Sequence, residues 1–311
     1  MRVSRLAVGT AALGLDRYGF PVPGNRNLDR AHATDLIAYA AAMGVNLFDT
    51  APGYGYSEEL LGEALAGRQD SVVATKIAIP EDIERLSGAE LSRRLNASLE
   101  KSLRALRRTT LDIVQIHNAT VPVLRQGAMI AALERAREEG KLRHIGASVY
   151  GEDAALAAIA TGKIEVLQIA VSLLDQRMRS RVIPEAKARG VAVLARSALL
   201  KGALTEKAQW LPQSLSELTA GSRRALVALN ATWETLPAIA LRFCMSLDGV
   251  EAVLSGIRSR AELEDCMKAA ADGLLSRAVL DKTAALALDD DRLLNPTYWK
   301  LEEIDSQLAQ L

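Results

Sequence analysis

Short apolar runs alternate along the chain with segments of helical periodicity, from the first residues almost to the last. The apolar runs are at 6–8, 45–48, 72–75, 113–116, 144–146, 166–169, 191–195 and 252–254, and several show almost no internal polar alternation. Strands covered on both faces read this way, as in a parallel sheet packed under helices. Between two of them, Leu91, Leu95, Leu99, Leu103 and Leu106 make one apolar stripe, with Arg93, Arg94, Glu100 and Arg104 outside it. That is an amphipathic helix. The spacing predicts further helices over 31–42, 57–66, 128–139, 153–160, 184–189, 237–246 and 261–271. Gly44, Gly140 and Gly190 each close a helical run just before a strand, where a left-handed C-terminal cap belongs.

Eight β-α units in succession predict a (β/α)8 TIM barrel, an α/β fold occupying 1–311 as a single domain. A doubly wound sheet is the structural competitor. Its glycine fingerprint is missing, because Gly53-Tyr-Gly55-Tyr-Ser-Glu58 ends in Glu where the third glycine belongs. The stretch 201–235, between the seventh and eighth strands, is polar and irregular at first and reads as a loop insertion or lid at the barrel's C-terminal face. The tail after Asp289, with Tyr298 and Trp299, is expected to pack over the barrel.

Composition narrows the function classes. With 38 basic and 38 acidic residues the net charge is zero, which leaves no electrostatic footprint for nucleic acid or an anionic membrane. The 49% hydrophobic content excludes disorder, and the 4% aromatic content leaves core filling to Leu, Ala, Val and Ile. Two cysteines, Cys244 and Cys266, fit a reducing compartment without a disulfide scaffold or structural zinc. The apolar run 6–15 after Arg2 and Arg5 resembles the start of a signal sequence, but Gly9, Thr10 and Gly14 interrupt it. No stretch reaches the ~20 apolar residues of a membrane span. The expected location is cytoplasmic.

In such a barrel, reactive groups sit at the C-terminal ends of strands. Strands two, three and four end in Asp49, Lys76 and His117, with Tyr54 on the loop after Asp49. Taken singly, each has a bland role as turn residue, solvated charge, hydrogen-bonded histidine or loop packing. Three consecutive strand ends aimed at one mouth are far more specific. Tyrosine, with an ordinary pKa of about 10, is a poor proton donor and acceptor at neutral pH. A neighbouring Lys76 ammonium is expected to lower it, with Asp49 holding Lys76 charged. A neutral His117 can donate a hydrogen bond to a carbonyl. Tyr54 then becomes a general acid for carbonyl reduction, or a base for alcohol oxidation. No side chain can deliver hydride, so a cofactor must.

The run Phe48-Asp49-Thr50-Ala51-Pro52-Gly53-Tyr54-Gly55-Tyr56-Ser57-Glu58, with Leu61-Gly62, resembles the second-strand signature of the aldo-keto reductases. Ala74-Thr75-Lys76 and Gln115-Ile116-His117 are similar to the family's next two motifs, in order. So are Arg143-His-Ile-Gly146-Ala-Ser148, Gln168, Leu173-Leu-Asp-Gln-Arg177, Arg196-Ser197-Ala-Leu199 and Leu254-Ser-Gly256. The resemblance spans nearly the full chain. It implies a nicotinamide cofactor and an Asp49, Tyr54, Lys76, His117 tetrad acting on a small-molecule carbonyl or alcohol.

By the same resemblance, Ser148 and Gln168 hold the nicotinamide carboxamide, with Thr10 and Ala11 nearby. The loop after the seventh strand adds Ser197 and Leu199, and Gly256 and Arg258 lie toward the adenosine end. This chain departs from the pattern at four positions. Val149 stands where the family has Asn, and Arg196 where it often has an aromatic ring stacked on nicotinamide. Arg196 is therefore expected to stack on nicotinamide itself or to meet an anionic substrate group. Glu262 and Cys266 replace Arg (or Gln) and Asn near the 2′-phosphate, and a carboxylate there favours NAD(H). Arg258 and Arg260 can still bind the phosphate if Glu262 points away, and the family resemblance alone makes NADP(H) the expected cofactor, with NAD the alternative.

Other motifs are weak. Gly146-Ala-Ser148-Val-Tyr150 misses the serine-hydrolase elbow at its last residue. His32, His117 and His144 have no metal-ligand spacing, so no metal is expected. Two other readings stay open: a Schiff-base lyase or aldolase using Lys76, and a non-catalytic cofactor-binding regulatory subunit. The sparse aromatics (Tyr18, Phe20, Tyr56, Tyr150, Trp210 and Trp299 among them) suit a polar, sugar-derived substrate better than a wide aromatic pocket. Oligomeric state is not legible.

Overall fold

Eight parallel strands pair in chain order and close on themselves: β1 (Leu6–Gly9), β2 (Leu47–Asp49), β3 (Val72–Ile77), β4 (Leu111–Ile116), β5 (Leu142–Ser148), β6 (Val166–Ala170), β7 (Ala192–Arg196) and β8 (Val250–Gly256). The closing seam runs from Leu6 opposite Val253 to Gly9 opposite Gly256. This computed structural model describes residues 1–16, 18, 19 and 28–299; Phe20 lies outside them. The (β/α)8 barrel expected from the alternating pattern is the observed fold.

Period-two alternation sorts each strand into an outer and an inner face. Val8, Phe48, Val73, Val114, Ile145, Leu167, Val193 and Val253 face outward into the main core under the helices. Ala7, Leu47, Val72, Ala74, Ile113, Val166, Leu194, Ala252 and Leu254 form a smaller apolar cluster. Two residues further along, the inward positions turn polar. Asp49 follows Leu47, Lys76 follows Ala74, Gln115 follows Ile113, Gln168 follows Val166 and Arg196 follows Leu194. The barrel is thus an apolar plug capped by a polar layer at its C-terminal end. Space in that layer is tight. A Cβ on Gly146 would stand 2.8 Å from the Val166 carbonyl oxygen and 2.9 Å from Gln115 Cγ.

The helix Gly88–Ala105 buries Leu91, Leu95 and Leu99, and Ser87 caps it by accepting from the Glu90 amide at 3.2 Å. Helix boundaries elsewhere differ from the expected ones by a residue or two, as fraying ends do. The stretch 201–235, expected to be polar and irregular at first, passes through three short 3₁₀ turns and then forms the helix Ser216–Leu229, which periodicity alone did not place. Its buried side is made of Leu218, Gly221, Ser222 and Ala225, and small residues give little periodic signal. Gly221 lies against Leu174 and Leu288, and Ser222 Oγ donates to the Ala203 carbonyl at 2.5 Å.

The tail is tied to the loop after β6. Gln176 Nε2 donates to the Thr283 carbonyl at 2.6 Å, and Leu288 N donates to the Leu174 carbonyl at 2.8 Å. Arg177 grips Asp175 with two bonds at 2.8 and 2.9 Å and reaches Asp291 at 2.9 Å. Trp299 is buried and Tyr298 is exposed. Among the described residues, no helix is long and apolar enough to cross a membrane.

The turn after β2 is held by two glycines in backbone contact with the opposite chain segment. A Cβ on Gly14 would collide with the Tyr54 carbonyl, and one on Gly55 with the Gly14 carbonyl. Gly55 also has φ +60, in the left-handed region. Gly55→Ala is therefore expected to cost about 2–4 kcal/mol, combining backbone strain with overpacking. Gly53→Ala meets nothing within 4 Å and should leave the denaturation midpoint almost unchanged. Equal midpoints for the two variants would contradict this packing.

Candidate active site

Asp49 ends β2 only 5% exposed, and Lys76, toward the end of β3, is 2% exposed. Lys76 Nζ donates to Asp49 Oδ2 at 2.7 Å and to the Thr50 carbonyl at 2.9 Å. The other carboxylate oxygen, Oδ1, accepts from Gln168 Nε2 at 2.7 Å and from Gln115 Nε2 at 3.2 Å. Two opposite charges withdrawn from water survive only when their remaining bonding capacity is met. Four strands supply those partners. Burial pulls the Lys76 ammonium below the usual lysine range, and Asp49 pulls back against it.

Tyr54 is half-buried beside this pair, with Lys76 Nζ 4.8 Å from its ring centroid. His117, immediately beyond β4, meets the same ring edge to face at 5.9 Å and 87°. The structure thus gathers all four residues of the expected tetrad at one mouth. It reverses one electrostatic expectation. The Tyr54 hydroxyl is raised well above the usual tyrosine range, first by burial and then by Asp49, while Arg196 lowers it. Burial and Asp49 thus outweigh the lowering expected from Lys76. His117 is pushed down to about 4, first by burial and then by Lys76. At neutral pH Tyr54 keeps its proton and His117 is uncharged.

Much of the second-strand signature works as scaffold. The Thr10 and Thr50 hydroxyls both meet Ser57 Oγ, and Thr10 Oγ1 also donates to the Asp49 carbonyl at 2.8 Å. Thr75 Oγ1 donates to Glu58 Oε1 at 2.6 Å, binding the helix Ser57–Ala64 to β3. The turn that carries Tyr54 is therefore anchored on β1, β2 and β3.

The donor set fits a nicotinamide dinucleotide. Ser148 and Gln168 pair across β5 and β6, and Ser148 Oγ lies 3.4 Å from Gln168 Oε1. With Gln168 Nε2 committed to Asp49, its Oε1 is the acceptor available to a carboxamide. Across the mouth, β8 ends in the exposed Gly256, and the helix Arg260–Ala271 starts shortly after it. Ser259 Oγ accepts from the Glu262 amide at 3.1 Å, and Glu262 Oε2 accepts from the Arg258 amide at 2.7 Å. Glu262 is therefore held at this helix start in a reciprocal cap.

The remaining expected contacts divide. Ser197 carries φ +63 directly after β7, and Leu199 is half-buried in the same loop. Thr10 and Ala11 are buried under the site. Cys266 is buried 3.4 Å from Ser255 Oγ, with its thiol pushed up to about 11, so it faces the barrel rather than the cleft. Arg196 lies over the Tyr150 ring, 4.1 Å from the centroid. Sequence reasoning missed Gln115 as a support for Asp49, although a glutamine two residues before His117 on the inward face of a strand was a usable signal. It named Tyr150 only among the scattered aromatics and not as the partner of Arg196, which lies two strands away.

An eight-stranded parallel barrel with these groups at its mouth defines an oxidoreductase of carbonyls and alcohols. The Aldo/keto reductase family matches residues 5–287, and the chain belongs to that family. It is 32% identical to the NADH-specific methylglyoxal reductase of Escherichia coli over 219 residues, 65% of this chain and 66% of that one. It is 29% identical to the L-galactose dehydrogenase of Arabidopsis thaliana over 280 residues, 85% of this chain and 83% of the other. In structure it resembles the holo form of an aldo-keto reductase from Bacillus halodurans, with TM-score 0.74 and 24% identity over 92% of this chain and 93% of that one.

Because His117 titrates at about 4, kcat/KM for carbonyl reduction should show no ionisation between pH 6 and 7 attributable to this residue. Any ionisation of this imidazole should appear only as the pH approaches 4. A His117→Gln variant that retained an inflection near the ordinary histidine value of about 6.5 would leave this assignment intact, whereas its loss would overturn it.

Proposed function

We propose that this chain is a nicotinamide-dependent reductase interconverting an aldehyde or ketone with its alcohol, with Tyr54 as the proton donor and acceptor. The observation that carries this reading is Tyr54 and His117 meeting edge to face directly above a buried, compensated Asp49–Lys76 pair. A substrate oxygen placed between the two rings receives a hydrogen bond from neutral His117 and a proton from Tyr54. Raised by burial, Tyr54 holds that proton until the substrate oxygen gains charge. Lys76 and Asp49 set the electrostatics beneath it, and Gln115 and Gln168 keep Asp49 in place. A bound nicotinamide supplies the hydride. Ser148 and Gln168 would hold its carboxamide, and the loops after β7 and β8 the rest of the dinucleotide.

Tyr54→Phe should lower kcat by about 10²–10⁴-fold, the range of a general acid–base contribution, while nucleotide affinity by fluorescence titration stays within a few-fold. Full activity in that variant would end the proposal. The Schiff-base alternative asks Lys76 for a free amine, but Nζ is bonded to Asp49 and the Thr50 carbonyl. Borohydride trapping with substrate should give no adduct at Lys76. In the oxidative direction, rates should keep climbing above pH ~10, where an ordinary tyrosine ionises, since Tyr54 must first lose its proton.

Between the two cofactors, the local geometry supports NAD(H) over the expected NADP(H). The Glu262 carboxylate is fixed at the helix start by the Arg258 amide, where it would oppose a 2′-phosphate. The Arg260 guanidinium lies over Tyr39 at 4.6 Å, and Arg258 Nη2 donates to the Tyr18 carbonyl at 2.7 Å. Initial rates should favour NADH, and Glu262→Gln should shift the ratio toward NADPH by about tenfold or more, given the size of a single charge contact. NADPH preference in the unaltered protein would overturn this point alone.

A further inference from the structure

Arg196 ends β7 at the position two residues beyond Leu194 of the inner apolar cluster, so its side chain belongs to the mouth rather than to the surface. It is half-buried and held on two sides. One guanidinium face covers the Tyr150 ring at 4.1 Å, and Nη2 donates to the Val149 carbonyl at 3.1 Å. Nη1 lies 3.4 Å from Ser197 Oγ. Of the five N–H groups of a guanidinium, these contacts use two. Among the described residues, no carboxylate pairs with it.

The neighbouring groups make that absence significant. The charge of Arg196 reaches Tyr54, His117, Lys76 and Lys201, lowering the pKa of each. Lys201, a second half-buried cation on the same loop, sits 5.2 Å from the Tyr18 ring centroid and also lacks a carboxylate partner among the described residues. Asp49 is fully committed to Lys76, Gln115 and Gln168, and His117 is neutral. Among the described residues, the mouth therefore carries positive charge without a carboxylate partner beside the proton donor. Desolvating two cations without a counter-charge is unfavourable, and a bound anion removes that cost. Because one guanidinium face is already stacked on Tyr150, the free N–H edge is what the site offers, and an edge recognises a carboxylate or phosphate.

We propose that Arg196 is a specificity-determining residue for a substrate that carries an anionic group, a carboxylate or a phosphate, a few atoms from the reacting carbonyl. This rests on the reductase reading above. It takes the substrate to be charged, which narrows the polar, sugar-derived substrate that the sparse aromatics suggested.

The test compares matched aldehydes in reductive steady-state kinetics: succinic semialdehyde against butanal for the carboxylate arm, and glyceraldehyde 3-phosphate against glyceraldehyde for the phosphate arm. The unaltered enzyme should favour the charged member of at least one pair by about tenfold or more in kcat/KM, and the arm that responds identifies the anion. Arg196→Gln should lower kcat/KM for that charged member by about 10- to 100-fold, mostly through KM, as expected for losing a charge-assisted hydrogen bond. The neutral member should lose much less, only what the charge of Arg196 contributes at Tyr54 and His117, and the nucleotide Kd should be unchanged. Arg196→Lys should recover part of the loss, and its thermal melt should match the parent. Equal losses for charged and neutral members, or weakened nucleotide binding, would overturn the proposal and assign Arg196 to the cofactor. Turnover of neutral aldehydes alone would also overturn it while leaving the reductase reading intact. Turnover of none would instead count against the reductase reading.

Discussion

The Asp49–Lys76 pair lies inside the barrel, nearly closed to solvent, and the rest of the site is arranged around keeping it there. A buried ion pair gains little over hydrophobic packing, whereas breaking one leaves an unpaired charge at a cost of roughly 3–5 kcal/mol. The chain meets that constraint by drawing bonds from several strands. β2 supplies the carboxylate, β3 the ammonium, and β4 and β6 one glutamine amide each. Only a closed parallel barrel brings those strand ends to one point. Compensation within the pair also decides its effect on Tyr54. A free ammonium would draw the phenol toward ionisation, but the paired one leaves burial and Asp49 to dominate, so Tyr54 keeps its proton. The same burial keeps His117 neutral. A proton donor and a neutral hydrogen-bond donor side by side suit reduction of a carbonyl at ordinary pH.

The turn that delivers Tyr54 is as constrained as the charges beneath it. Gly14 and Gly55 let two backbones approach more closely than side chains allow. Ser57, Thr10, Thr50, Thr75 and Glu58 then tie the turn to three strands. The most recognisable stretch of this sequence is therefore mostly mechanical, and its chemistry rests on Asp49 and Tyr54. The motif Leu173-Leu-Asp-Gln-Arg177 is mechanical in a different way. Asp175, Gln176 and Arg177 anchor the C-terminal segment to the loop after β6.

A net charge of zero concealed a polarised molecule. The carboxylates near the mouth are consumed by partners, Asp49 by Lys76 and Glu262 by the Arg258 amide. Among the described residues, Arg196 and Lys201 have no such carboxylate partner. Global charge reports on long-range attraction to large polyanions. It carries no information about which side chains converge at one mouth.

The sequence by itself determined the architecture and the identities at the strand ends, because apolar runs, glycine caps and the order of Asp49, Lys76 and His117 are all local features. Period-two alternation even aimed those residues inward once the barrel was assumed. The tertiary structure alone decided what each group does to its neighbours. It showed that Gln115 and Gln168 converge on one carboxylate oxygen, that Tyr54 is raised rather than lowered, that Arg196 stacks on Tyr150, and that Glu262 closes a helix cap. A helix lay unread within 201–235 because its buried face is built of Gly221, Ser222 and Ala225. The common reason is that proximity across strands, burial and compensation of charge are properties of pairs distant in sequence. Patterning specifies which face a residue takes, and only closure of the barrel specifies what it meets there.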